Sequence, residues 1–461
     1  MGNWLRIVIW VAITVVIGGL TGCSRQEAPQ TPAAPTANEA ARTAPQGGTL
    51  KIIWAKWPPA DYLQELSKDF TKETGIQVVV DQVPWDNFQD KVFTVFAAKE
   101  DTYDLFVGDS QWLGKGASEG HYVELTRWMK DNVDISSISE GALTNYGEYP
   151  KGSKRYYALP AEGDATAFAY RKDLFEDPRE KEAFKKRYGR ELAPPKTWAE
   201  LRDIAEFFTR PNNKPKPLYG LAVFYSRQYD GITMGFQQVM WSYGGSYGHE
   251  KTRKVEGILN SPKAVEALKF YISLKKFSPP GSEKNYFNED TTAFTQGDVA
   301  MAQNWFAFFP ALLDRKTNPY WDRTGFFPTP AGPAGHYISL GGQGISISNY
   351  SKNKENAFKY LKWFAQEETQ RKWAKLGGYT ANTKVMASED FLKAAPYNPA
   401  FAESFKHVRD FWAVPEYAKL LDSCQKHWNA AVVGQETPQQ AMDNVAKEHQ
   451  AIFDKAGKPK A

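Results

Sequence analysis

Cysteine and histidine are scarce in this chain: two Cys, Cys23 and Cys424, and six scattered His among 461 residues. Neither set can supply the ligands of a structural zinc or iron–sulfur centre, and the dissimilar contexts of the two cysteines argue against a disulfide. No metal and no cofactor is expected. An excess of charge of one sign is missing too. Lys and Arg number 57 against 53 Asp and Glu, and a net +4 is too dilute for a nucleic-acid footprint. The apolar run at residues 7–17 falls short of the roughly 18 to 20 residues that span hydrocarbon. With 42% apolar and 24% charged residues, the bulk of the chain is neither disordered nor a polytopic membrane protein. What is abundant is aromatic: 15 Trp, 23 Tyr and 28 Phe make 14% of the chain, a large supply of flat apolar faces, many with polar edges.

The first 47 residues read as an address and a tether. Arg6, the apolar run and the small residues Gly18-Gly19-Leu20-Thr21-Gly22 ahead of Cys23 have the layout of a secretory signal peptide over 1–22, with an uncleaved anchor as the alternative. Leu20-Thr21-Gly22-Cys23 also resembles the bacterial lipobox, which implies a diacylated Cys23 as the mature N-terminus. Residues 23–47 are rich in Ala, Pro, Thr and Gln and cannot bury enough to order themselves, so a flexible tether is expected. The protein is therefore expected outside the cytoplasm, periplasmic or extracytoplasmic, and anchored to a membrane.

The folded body opens as strand 48–55, helix 61–74 closed by Gly75, strand 76–80, helix 86–98 and strand 103–107, a βαβαβ order that means a parallel sheet and an α/β fold. The middle is charged and helical over 178–210, with Thr197 able to cap a new helix after Pro194-Pro195. Helices are expected at 229–243, 262–276 and 290–303, strands at 325–327 and 344–348, and a helix at 354–366. A helical C-terminal segment would bury Trp412, Leu420, Leu421, Trp428, Val432 and Val433. Sheet character that starts at 49–107 and returns at 325–348 points to two lobes. Lobe 1 is 48–161 with 325–365, and lobe 2 is 162–324 with 366–461. The chain would cross near 159–162 and 327–330, leaving an interlobe cleft where ligand sites preferentially form.

Five local patterns, in order, carry a family resemblance: Phe70-Thr71-Lys72-Glu73-Thr74-Gly75-Ile76; Tyr103-Asp104-Leu105-Phe106; Leu159-Pro160-Ala161-Glu162-Gly163-Asp164 running to Tyr170-Arg171-Lys172-Asp173; Pro195-Lys196-Thr197-Trp198; and Phe294-Thr295-Gln296-Gly297-Asp298. Across most of 48–450 the chain resembles the extracellular solute-binding proteins (family 1) of bacterial ABC importers, in the carbohydrate-binding group similar to maltose-binding protein. The resemblance implies a two-lobed periplasmic-binding-protein fold of type II, a hinge, closure around a solute, and delivery to membrane permease subunits. The segment around 177–195 is longer and more charged than in the shorter members.

Sugars present flat C–H faces rimmed by hydroxyls, so aromatics and planar polar side chains at strand ends are the candidates. Trp57 follows the first strand and Trp85 precedes the second helix, and both equally suit helix packing. Asp109 and Gln111 lie just past the third strand, where Asp109 could instead cap a helix. Glu162 and Asp164 occupy the first crossing, and the resemblance aligns Asp164 with the family's cleft carboxylate. Tyr225 and Trp241 are expected to face the cleft from lobe 2, and Asn304-Trp305 resembles the family's stacking position. Gly342 and Gln343 precede a strand, where glycine lets backbone approach a ligand, and Tyr379 could stack on one sugar face. Trp198, Trp363, Trp373, Trp412 and Trp428 read as packing, and Cys424 as a buried inert thiol.

The leading expectation is a monomeric, lipid-anchored binding protein for a neutral carbohydrate or polyol, not an enzyme. Acidic residues framed by aromatics would also suit a polyamine, and a peptide or organic phosphate is a further transport reading. An exported polysaccharide-acting enzyme, with Glu162 or Asp164 as acid or base, is the remaining alternative.

Overall fold

The structure, a computed structural model, describes residues 47–457. The expected signal peptide, Cys23 and nearly all of the tether lie outside the described residues.

Two sheets organise this body. The first is built from β1 (Thr49–Ala55), β2 (Gln77–Val83), β3 (Leu105–Asp109), β4 (Leu159–Glu162) and β10 (Gln343–Ile347), in the order β2-β1-β3-β10-β4. β1 runs parallel to β2 and β3, whereas β10 is antiparallel to β3 and β4. Leu50, Ile52, Ile53 and Trp54 of β1 are fully buried, as a central strand covered on both faces requires. Helix α1 (Pro58–Thr74) begins with two prolines whose missing N–H groups cost nothing there, and buries Leu63, Leu66 and Phe70. It stops at Gly75, left-handed at φ 74°, whose N–H reaches Thr71 O at 2.8 Å. Helix α2 (Trp85–Ala98) returns the chain to β3.

The second sheet holds β5 (Thr166–Arg171), β6 (Tyr219–Ala222), β7 (Val299–Trp305) and β8 (Thr324–Pro328), in the order β6-β7-β5-β8. Here the sequence-based expectation needs two corrections. Residues 290–303 are not one helix: a helix over Phe287–Thr295 ends ahead of Gly297, at φ 73°, and β7 follows with every residue buried. The strand at 325–327 pairs with β5, not with the first sheet. The chain therefore returns to the first sheet between β8 and β10, through the short β9 (Ile338–Ser339), which pairs with β11 (Val408–Arg409).

The helix Trp198–Phe208 carries the expected cap: Thr197 Oγ1 accepts from Glu200 N at 3.2 Å, and the Glu200 carboxylate accepts from Thr197 N at 3.3 Å. The C-terminal helices Tyr417–Val432 and Pro438–Ala456 pack on each other and bury Leu420, Leu421, Trp428 and Val432. Val433 is 39% exposed, because it falls just past the end of its helix.

Candidate ligand-binding site

Strand register places three of the expected polar residues side by side. Gln343, the first residue of β10, pairs with Asp109 at the end of β3 and with Glu162 at the end of β4. The chain leaves the sheet at this edge, where open α/β sheets take ligands. Trp54 donates its indole N–H to Gln343 Oε1 at 2.6 Å and so fixes the amide. Trp57 stands edge-on to both Trp54 (5.7 Å) and Trp85 (5.4 Å), which forms an aromatic wall at the same edge. The Trp57 indole N–H is buried without a partner.

Asp109 both caps and reaches out. One oxygen accepts from Gln111 N at 3.1 Å and opens a short 3-10 turn, while the other accepts from the Tyr229 hydroxyl at 3.4 Å. Tyr229 holds a left-handed backbone at φ 42°, a strained setting for a bulky residue and a frequent companion of functional sites. Gln111 is buried with its side-chain oxygen unpartnered.

Glu162 is fully buried. Its Oε2 accepts from Tyr379 N at 3.0 Å, and its Oε1 has no partner. Burial drives this carboxyl well above the usual range, with Asp164 adding to the rise. Asp164 accepts from Ala165 N at 2.8 Å, and burial pushes its carboxyl up to about 8. Tyr379 spends its hydroxyl on Phe306 O at 2.6 Å, so that ring is fixed between the crossing and the end of β7.

Trp305 ends β7, next to the second crossing: a Cβ on Gly341 would lie 2.8 Å from its ring. Likewise a Cβ on Gly342 would lie 2.2 Å from the Tyr146 ring. These glycines admit aromatic rings of the protein itself on the side where a Cβ would stand. Three more expected residues are spent on structure. Tyr225 is fully buried and donates to Tyr271 O at 3.1 Å. Trp241 is buried in the helix Gly231–Ser242 with the Arg409 guanidinium 5.0 Å from its ring. Asn304 donates to Phe287 O and Thr291 Oγ1, both at 2.9 Å.

The structure also brings in groups that the sequence did not disclose. Asp230 precedes the helix Gly231–Ser242 but makes no side-chain cap there; it accepts from the Tyr286 hydroxyl instead. Burial pushes Asp230 up to about 7. Asp410, just after β11, is 4% exposed and keeps Oδ2 unpartnered; burial lifts it to about 6. Asp109 rises to about 7 through burial and then through Asp410. Acceptors, carboxyls able to hold protons, and indole and phenol rings thus converge from both sheets, an arrangement suited to hydroxyl-rich solutes.

Comparison with known proteins identifies the family and the fold. The probable ABC transporter-binding protein of Deinococcus radiodurans is 27% identical over 349 residues, 74% of this chain and 77% of that protein. The erythritol/L-threitol-binding protein of Mycolicibacterium smegmatis is 24% identical over 379 residues, 78% and 76% of the two chains. The crystal structure of an ABC transporter solute-binding protein from Agrobacterium radiobacter K84, in complex with ribitol, superposes with a TM-score of 0.73 at 26% identity, over 89% of this chain and 100% of that one. The family model described as bacterial extracellular solute-binding protein matches residues 56–371, from just past β1 into the helix Glu367–Leu376. This chain belongs to the bacterial extracellular solute-binding protein family.

Proposed function

We propose that this protein is the solute receptor of an ABC importer, capturing a carbohydrate or polyol between its two sheets and passing it unchanged to the membrane permease. The observation that carries the reading is the row Asp109–Gln343–Glu162 across β3, β10 and β4, with the Trp305 ring at the end of β7 against Gly341, two residues before Gln343. Two carboxylates flanking an amide whose oxygen is held by Trp54 and whose NH2 can donate suit consecutive hydroxyls, and an indole face suits a C–H face. Unpartnered oxygens on Glu162 and Gln111 gain donors when a hydroxylated solute binds. The relatives that bind erythritol or threitol and ribitol support small polyols among the solutes to be tried.

Two lobes, one around each sheet, would rotate about the crossings between β4 and β5 and between β8 and β10. The solute shifts this equilibrium by binding the closed form more tightly, and the permease reads closure. Cys23, diacylated, would anchor the monomer to a membrane; intact-mass analysis that finds an unmodified Cys23 thiol overturns that part. No chemistry on the solute is proposed, so a bound sugar should be recovered unchanged, and turnover would move the protein to the enzyme class.

The test is a thermal-shift and calorimetric screen of neutral sugars and polyols, followed by Glu162→Ala, Asp164→Ala and Trp305→Ala. Ligand at about 100 times Kd adds roughly 2.7 kcal/mol of stability. Each substitution should weaken binding of the hit at least tenfold; unchanged affinity in all three would show that the site lies elsewhere.

A further inference from the structure

Three carboxyls act on one another from distant chain segments: Asp109 at the end of β3, Asp230 in the turn before the helix Gly231–Ser242, and Asp410 after β11. Tyr229, whose hydroxyl donates to Asp109, is the chain neighbour of Asp230. Ser110 links two of them, because its hydroxyl donates to Asp109 Oδ1 at 3.3 Å and faces Asp410. Asp410 and Asp230 each raise the proton affinity of Asp109, and Asp410 that of Asp230. Their close donors are neutral: Gln111 N–H and the Tyr229 hydroxyl on Asp109, the Tyr286 hydroxyl on Asp230, and Phe411 N–H on Asp410. Among the described residues no lysine or arginine forms an ion pair with any of the three. Lys151 acts on Asp410 only beyond ion-pair distance, and Glu250 acts on that ammonium more strongly than Asp410 does.

Two further observations point to a ligand at this place. Asp410 Oδ2, beside Ser110, is buried and unpartnered, and so is Gln111 Oε1 one residue further along the same turn. Aromatic rings stand near the carboxyls: Tyr229, Tyr286 and Tyr417 each lie within electrostatic reach of Asp109 and Asp230, and Trp305 borders Tyr286. Hydroxyls alone need acceptors, but not three acidic ones in mutual reach, since gathering like charges away from water is unfavourable. A protonated amine reverses that sign. It donates three N–H bonds, relieves the repulsion and gains from ring faces.

We infer that the solute of this protein carries a protonated amine beside its hydroxyls, as an aminodeoxy-sugar or amino-polyol does, and that the amine seats among Asp109, Asp230 and Asp410. This rests on the sugar or polyol reading and narrows it. The test is calorimetry on the purified full-length protein with matched pairs: sorbitol and glucamine, ribitol and 1-amino-1-deoxyribitol, glucose and glucosamine, with spermidine alongside. In at least one pair the amine should bind tenfold or more tightly than its neutral parent. Its binding should release protons, so the measured heat differs between phosphate and Tris buffers. Asp230→Asn and Asp410→Asn should each weaken the amine at least tenfold more than its neutral parent, bringing the amine-to-parent affinity ratio toward one. Parents that bind as tightly as the amines in every pair, or a ratio unmoved by both substitutions, overturn the inference and leave the sugar or polyol reading standing. Binding of spermidine alone, or of no member, overturns both.

Discussion

Asp164→Asn separates a buried acid from a merely polar crossing residue. Asp164 is 4% exposed, and its carboxyl is pushed from 3.8 to about 8, by burial above all. The folded protein then holds a proton that the unfolded chain has released at every pH between those values. Stability from this group is fully present below pH 3.8, declines as pH rises, and is gone above about pH 8. Each unit inside that window costs about 1.36 kcal/mol, so the rise from pH 5 to pH 8 costs the wild type about 4 kcal/mol through this one carboxyl. An amide does not titrate. It keeps an acceptor for Ala165 N–H but turns a donor toward the N–H groups of Phe306 and Ala307, which face the carboxyl now. That mismatch is a constant penalty of about 1–3 kcal/mol at every pH. The diagnostic is therefore the slope: in urea unfolding of the ligand-free proteins, the variant should gain about 4 kcal/mol on the wild type between pH 5 and pH 8. Curves that run parallel within about 1 kcal/mol would refute the reasoning, because the proton would then not be held in the folded state.

Three other outcomes follow from single contacts. Thr197→Ala removes the capping box of the helix Trp198–Phe208 and should cost about 1 kcal/mol in urea unfolding, with ligand affinity unchanged. Gly341→Ala sets a methyl 2.8 Å from the Trp305 ring and forces that ring to move. Solute affinity measured by calorimetry should fall about tenfold or more, and an unchanged Kd would remove Trp305 from the binding surface. Cys424 is fully buried and its thiol is pushed well up by burial, so a thiol reagent should label it in denaturant and not in the native protein. Rapid native labelling would contradict that burial.

The first sheet was legible except for β4, which was read only as a crossing, because its other strands carry their own signals. β1, β2 and β3 are apolar and β-branched, and the helices between them show clean three- and four-residue spacing with a glycine stop. The second sheet was legible only at β8. β7 reads Val299-Ala300-Met301-Ala302-Gln303, buried on both faces and hence without a period, and made largely of residues that favour helices. β5 lies in a run of alanines, with Ala165, Ala167 and Ala169 fully buried between bulkier neighbours. Nothing local distinguishes such a strand from a helix; only its register with β7 and β8 does.

The candidate site divides along the same line, and for a related reason. Asp109 and Gln343 could be chosen from sequence because each borders a strand that reads as one, and Glu162 because it lies at the expected crossing. Asp230 had a ready local explanation as the cap of the helix after it, yet its hydrogen bond comes from Tyr286, 56 residues away. Asp410 follows a two-residue strand whose partner, β9, lies some 70 residues earlier in the chain. Tyr225, Trp241 and Asn304 failed in the opposite direction: each sits at a position that could face the cleft, and each is held by a neighbour that sequence does not show. The polar row of the first sheet is thus built by neighbouring strands, whereas Asp230 and Asp410 take their places only where distant segments meet, so the fold could be read from local signals and the charge of the site could not.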